Sequence, residues 1–144
     1  MLFVLDASVS LAWCFEDEET PYALGVFNRL RADRALVPTI WPLEVANTLL
    51  VGERRGRLTL AATTRFVRVL NGLPITVDDH TSSAALGSVL ALSREHGLSA
   101  YDATYLELAV REGLPLATED ARLRAAAERA GVEALADPAA GEGD

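Results

Sequence analysis

Four short apolar segments, residues 2–5, 35–37, 75–77 and 116–118, alternate with stretches whose apolar residues recur at helical spacing, and this alternation most narrows what the chain can fold into. Strands separated by helices pair in parallel, because a parallel neighbour is reached only through a crossover, normally a right-handed helical one. The chain therefore reads as α/β. At 144 residues, half of them hydrophobic and 24% charged, it has the size and composition of a single domain. That domain is expected over residues 1–136, with a frayed tail at residues 137–144.

Local signals place the helices. Residues 8–15 follow the first strand as a short helix capped by Ser8 or its neighbours, and Thr20-Pro21 is a cap followed by proline at the first helical position. Pro42 opens a third helix with Ala46, Leu49 and Leu50 as its apolar stripe. Thr59 caps a fourth, the most clearly amphipathic, carrying Ala62, Phe66, Val69, Leu70 and Leu73. Residues 81–96 present Leu86, Val89 and Leu90 on one face, Gly97 suits the left-handed position after a helix, and Ser99 caps the next one. A last helix holds Leu123, Ala126, Ala127 and Ala130, and residues 132–135 are a candidate fifth strand.

In parallel α/β sheets ligands sit beyond the carboxyl ends of the strands. Three acids stand at such junctions, Asp6 after the first strand, Glu44 opening the helix after the second and Asp120 after the fourth strand, and Asp102, in the first turn after Ser99, joins them if its helix starts at that edge. Each has an ordinary explanation. Asp6 and Asp120 suit helix caps, Glu44 complements a helix dipole, and Ser99 with Asp102 resembles a capping box. Together they are harder to explain that way, since a helix terminus supplies only about half a positive charge. Either some are protonated or a cation is present. Oxygen ligands without His or Cys suit Mg²⁺ or Mn²⁺ better than zinc. His80 and His96 are sixteen positions apart and form no zinc-type pair, and Cys14 is the only cysteine.

The segments MLFVLDASVSLAW, WPLEVANTLL followed by RRGRL, LSAYDATYLELA and LATEDARL resemble, in order over roughly residues 1–135, the PIN-domain ribonucleases. The nearest likeness is to the VapC toxins of bacterial toxin–antitoxin pairs. The resemblance implies a parallel sheet of four to five strands in the order 3-2-1-4-5, flanked by about seven helices. It carries the acidic site onto Asp6, Glu44, Asp102 and Asp120, as catalytic and metal-binding residues, with Ser8 and Thr118 as polar neighbours. It implies RNA hydrolysis that leaves a 5′-phosphate and a 3′-hydroxyl. One or two Mg²⁺ or Mn²⁺ ions would be the cofactor: four carboxylates carry up to about −4, which two divalent ions neutralise. The resemblance further implies a homodimer and a VapB-type antitoxin that lays an apolar segment along the helices and points an Arg or Lys into the acids.

The net charge of −8 has the wrong sign for a simple cationic nucleic-acid binder. Outside the four strand-end acids and the acids of residues 16–19, however, acids and bases balance. All 13 bases are Arg, which excludes Schiff-base and P-loop chemistry and counts against phosphate-receiver and haloacid-dehalogenase readings that need a Lys. Arg54, Arg55, Arg57, Arg65 and Arg68 suit RNA phosphates, or equally the C-terminal dipoles of their helices. Trp13 and Trp41 are expected in the core or an interface. A PIN-like module that binds RNA or a protein without cutting is the rival reading. With no span of about 18–20 apolar residues and no secretory signal pattern, a cytoplasmic protein is expected.

Overall fold

The computed structural model describes residues 1–136; the tail expected at residues 137–144 lies outside the described residues. Phe3, Val4 and Leu5 of strand β1 (Leu2–Leu5) are wholly buried, as a strand covered on both faces must be. β2 (Arg34–Val37) and β4 (Leu116–Ala117) flank β1, and β3 (Ile75–Val77) pairs outside β2. All pairs are parallel, in the order β3-β2-β1-β4. The register sets Phe3 against Ala35 and Leu5 against Ala117, which brings the carboxyl ends of β1 and β4 together.

The candidate fifth strand contracts to one parallel bridge between Leu116 and Ala134. The Val132 amide donates to the Ala127 carbonyl at the end of the preceding helix, so pairing with β4 starts only beyond it, through Glu133 and Leu135.

The first four helices are α1 (Ala7–Ala12), α2 (Pro21–Arg29), α3 (Trp41–Arg54) and α4 (Leu60–Asn71). Next, α5 (Thr81–Ala84), a π-helical turn (Ala85–Val89) and α6 (Leu90–His96) run on as one helical body. With α7 (Ala100–Glu112) and α8 (Ala121–Arg129), seven α-helical bodies flank the sheet among the described residues. Thr20, Thr59 and Ser99 accept hydrogen bonds from the amides of Ala23, Ala62 and Asp102, as their cap positions predict. Gly97 and Gly113 end α6 and α7 with φ of +66° and +64°, a conformation that favours glycine.

The structure corrects four local expectations, the first being Val69, placed on the apolar face of α4 but 45% exposed beside the buried Phe66 and Leu70. α1 stops at Ala12, because Phe15 leaves the helical conformation to bury its ring. The buried stripe of α3 is Trp41, Val45, Leu49 and Gly52, whereas Ala46 and Leu50 are exposed: the core packs against the row through Trp41, Val45 and Leu49, one residue round the helix from the expected one. Leu86 is 89% exposed, since the π-helical turn adds a residue to the helical repeat and turns Leu86 away while Val89 remains buried. Both tryptophans pack as expected. Trp41 is buried and donates to Ser10 Oγ at 3.0 Å, and Trp13 meets the Phe27 ring edge-on at 5.2 Å. Among the described residues no helix is long and apolar enough to cross a membrane.

Candidate functional site

Asp6 stands where β1 ends and α1 begins, at the N-cap position of α1, yet its carboxylate caps nothing. Its Oδ2 instead accepts hydrogen bonds from Ser8 Oγ and Thr118 Oγ1, both at 2.7 Å. Ser8 is the second residue of α1 and Thr118 directly follows β4, so the residues joined are those that the β1–β4 pairing brings side by side. Burial pushes the Asp6 carboxyl above its ordinary range, the two hydroxyls pull it back, and the charge of Asp102 raises it again.

Glu44, in the first turn of α3, and Asp102, in the first turn of α7, share this neighbourhood. Burial raises the Glu44 carboxyl most, Tyr105 lowers it, and the charges of Asp6 and Asp102 raise it further. Burial also raises Asp102, as does the charge of Asp120, while Ser99 and Arg122 lower it. The capping explanation therefore fails for Asp6 and holds in part for Asp102, whose amide donates to Ser99 Oγ at 3.1 Å. It holds fully for Asp120, whose Oδ1 accepts from the Leu123 amide at 2.8 Å as the N-cap of α8. A cleft of about 420 Å³ opens beside this edge, lined in part by Ser8, Glu18, Thr48, Glu119 and Asp120.

The donor set suits a hard divalent cation: buried or half-buried carboxylates that raise one another's proton affinity, with hydroxyls and without imidazole or thiolate. Both hydroxyls converge on Oδ2 of Asp6, so among the described residues neither of them engages its Oδ1. No three of Asp6, Glu44, Asp102 and Asp120 have ligand atoms within 4.8 Å of one another; among the described residues the group that does is Asp78, Asp79 and His80, beyond β3. Asp78 is already engaged there. Arg111 donates to its two oxygens at 3.1 and 2.9 Å, and to both oxygens of Glu107 at 2.8 and 3.1 Å. The Arg111 fork holds the Asp78 carboxyl below its ordinary range, which marks this second cluster as an ion-paired brace between the β3 end and α7.

Arg54 is ten residues past Glu44 on the same helix, about 15 Å along its axis at 1.5 Å per residue. Arg54, Arg55, Arg65 and Arg68 are exposed, whereas Arg57 pairs with Asp17 at 2.9 Å and stacks 4.3 Å over the Phe15 ring. Sequence reasoning missed two residues at the acidic edge. Tyr105 is wholly buried, and the signal that could have found it is its place three residues after Asp102, on the same helix face. Arg122 is an exposed cation two residues after Asp120 whose charge acts on Asp102.

Comparison with known proteins agrees with this architecture. A family model described as the PIN domain matches residues 3–129. A solved structure of PAE2754 from Pyrobaculum aerophilum is 25% identical, with a TM-score of 0.65 over 88% of this chain and 84% of that one. VapBC2 from Rickettsia felis, solved bound to a DNA fragment from its promoter, is 11% identical, with a TM-score of 0.61 over 94% of this chain and 98% of that one, a likeness of fold. No curated protein matches.

Proposed function

The chain belongs to the PIN domain family, and from that premise we propose that it is a metal-dependent endoribonuclease and the toxin of a type II toxin–antitoxin pair. The observation that carries the reading is the buried carboxylate of Asp6, held by Ser8 and Thr118 where β1 meets β4, with the charge of Asp102 acting on it and its own charge acting on Glu44. Asp6, Asp102 and Asp120 serve mainly as metal ligands, and Glu44 as a ligand or as the group that positions water. One or two Mg²⁺ or Mn²⁺ ions bound there would lower the pKa of a water, orient it in line with the scissile phosphodiester and stabilise the leaving oxygen.

The chain's own residues supply the rest. Ser8 and Thr118 fix the rotamer of Asp6 by donating to one oxygen, which leaves the other without a hydroxyl donor and able to face a cation. The cap bond of Asp120 orients its carboxylate from a rigid helix end. Attack of water on phosphorus breaks the bond to the 3′ oxygen, which leaves as a hydroxyl, and the phosphate remains on the 5′ end. Arg54, Arg55, Arg57, Arg65 and Arg68 would steer the RNA strand at longer range.

Two apolar surfaces support the partner assignments. A groove of about 410 Å³ between α3, α4 and β3, lined among others by Trp41, Val45, Leu49, Leu70 and Ile75, suits the apolar segment of an antitoxin, and the −8 chain attracts a basic one. A second patch, with Leu43 at 70% and Tyr101 at 63% exposure, adjoins Glu44 and Asp102 without a charged residue in its lining, and suits a second copy of a like-charged chain. One of the solved structures similar in fold is itself a VapBC assembly. Co-expression with the adjacent gene tests the partner: the toxin reading expects co-purification and relief of growth arrest, and a neighbour that neither binds nor inhibits contradicts it.

A further inference from the structure

One turn of α7 holds two of the acids. Asp102 is on it directly, and Tyr105, three residues later on the same face, donates its hydroxyl to Glu44 Oε1 at 2.5 Å across 61 positions of sequence. Tyr105 has no solvent-exposed surface, so its ring is fixed by the core and its hydroxyl cannot follow a moving partner. Glu44, by contrast, is half-buried on a helix whose first turn is otherwise exposed at Pro42 and Leu43. A long flexible carboxylate beside Asp6 and Asp102 is repelled by both, and without a donor it would swing towards solvent.

We infer that Tyr105 is a positioning residue for the acidic site: its hydroxyl clamps the Glu44 carboxylate at a set distance from Asp102, so that α7 fixes the spacing of both groups. This rests on the reading of Glu44 as a metal ligand or water-positioning group. The bond engages one oxygen of Glu44 and leaves the other for that task, as Ser8 and Thr118 do for Asp6. Outer-shell partners of this kind set ligand orientation.

Tyr105→Phe removes only the hydroxyl and retains the buried ring. Two measurements test it: Mn²⁺ affinity, from the free-ion signal in electron paramagnetic resonance, in a cycle with Glu44→Gln, and the crystal structure of Tyr105→Phe. The expected result is a loss of roughly 10-fold in Mn²⁺ affinity when Glu44 is present, no further loss in the Glu44→Gln background, and a Glu44 side chain turned away from α7. Equal losses in both backgrounds, or an unchanged affinity with Glu44 still in place, would overturn the inference. If the wild-type protein binds no Mn²⁺, the metal reading fails by itself, and the Glu44 position in the variant structure still decides whether Tyr105 holds it. Should Tyr105→Phe not fold, the double variant with Glu44→Gln decides: recovery of the fold supports the clamp, because the lone charge is gone, and continued misfolding rejects it.

Discussion

Asp6 and Thr118, 112 positions apart, are joined by a 2.7 Å hydrogen bond because β1 and β4 lie side by side and each residue follows its strand. Order 3-2-1-4 makes this the place where the chain switches from one side of β1 to the other, and crevices for ligands open at such points in parallel sheets.

Thr118→Val retains the shape of the buried side chain and removes one of the two hydroxyls on Asp6. Loss of an outer-shell donor is expected to weaken Mn²⁺ binding and RNA cleavage by roughly 10–100-fold. The Asp6 carboxyl should rise further, moving the acid limb of the cleavage profile to higher pH. Mn²⁺ titration and a pH–rate series check both.

Two substitutions at Asp120 separate its roles. Asn is as good a helix cap as Asp, so Asp120→Asn is expected to leave thermal stability nearly unchanged while weakening metal binding. Asp120→Ala loses the cap as well, at a cost of about 0.5–2 kcal/mol. Calorimetry beside Mn²⁺ titration checks the contrast; equal Mn²⁺ affinity for wild type and Asp120→Asn would remove Asp120 from the site.

Stability should respond to pH through Asp6, Glu44 and Asp102, whose folded carboxyls all lie above their ordinary range. The folded state then binds more protons than the unfolded one, so stability falls as pH rises from the ordinary carboxylate range through the raised values. Metal-free protein is expected to melt at a higher temperature near pH 5 than at pH 8, and a divalent cation should remove most of the difference. Thermal melts in chelator across that range check it. The depressed carboxyl of Asp78 acts in the opposite sense, its contribution being lost only below the ordinary carboxylate range.

Much of this was legible in the sequence because the signals are local. Thr20, Thr59 and Ser99 cap the helices their positions predict, and Asp6 and Asp120 lie just past the strands that the apolar runs mark, each at the N-cap position of the next helix. What escaped depends on tertiary phase. The π-helical turn that exposes Leu86, the one-residue rotation that buries Val45 in place of Ala46, and the contraction of the last strand to Ala134 all arise where packing overrides spacing. Tyr105 and Arg111 were hidden for a different reason: their partners, Glu44 and Asp78, are 61 and 33 positions away.

Arg111 is expected to matter for folding rather than cleavage. Arg111→Met retains the apolar stem but leaves the buried Asp78 and Glu107 without their shared cation. Breaking one side of such a pair costs about 3–5 kcal/mol when fully buried, and partial exposure of Arg111 reduces this to about 2–4 kcal/mol. Denaturant unfolding should show the loss, while Mn²⁺ affinity of the folded fraction stays near wild type.

The most direct test of the central claim is cleavage of RNA by purified protein with Mg²⁺ or Mn²⁺, with excess chelator, and with the Asp6→Asn variant, mapping the new ends. The account predicts metal-dependent cuts that leave 5′-phosphates, silence in chelator, and a folded but inactive Asp6→Asn protein. RNA left intact with either ion, undiminished cleavage in chelator, or wild-type cleavage by Asp6→Asn would contradict it.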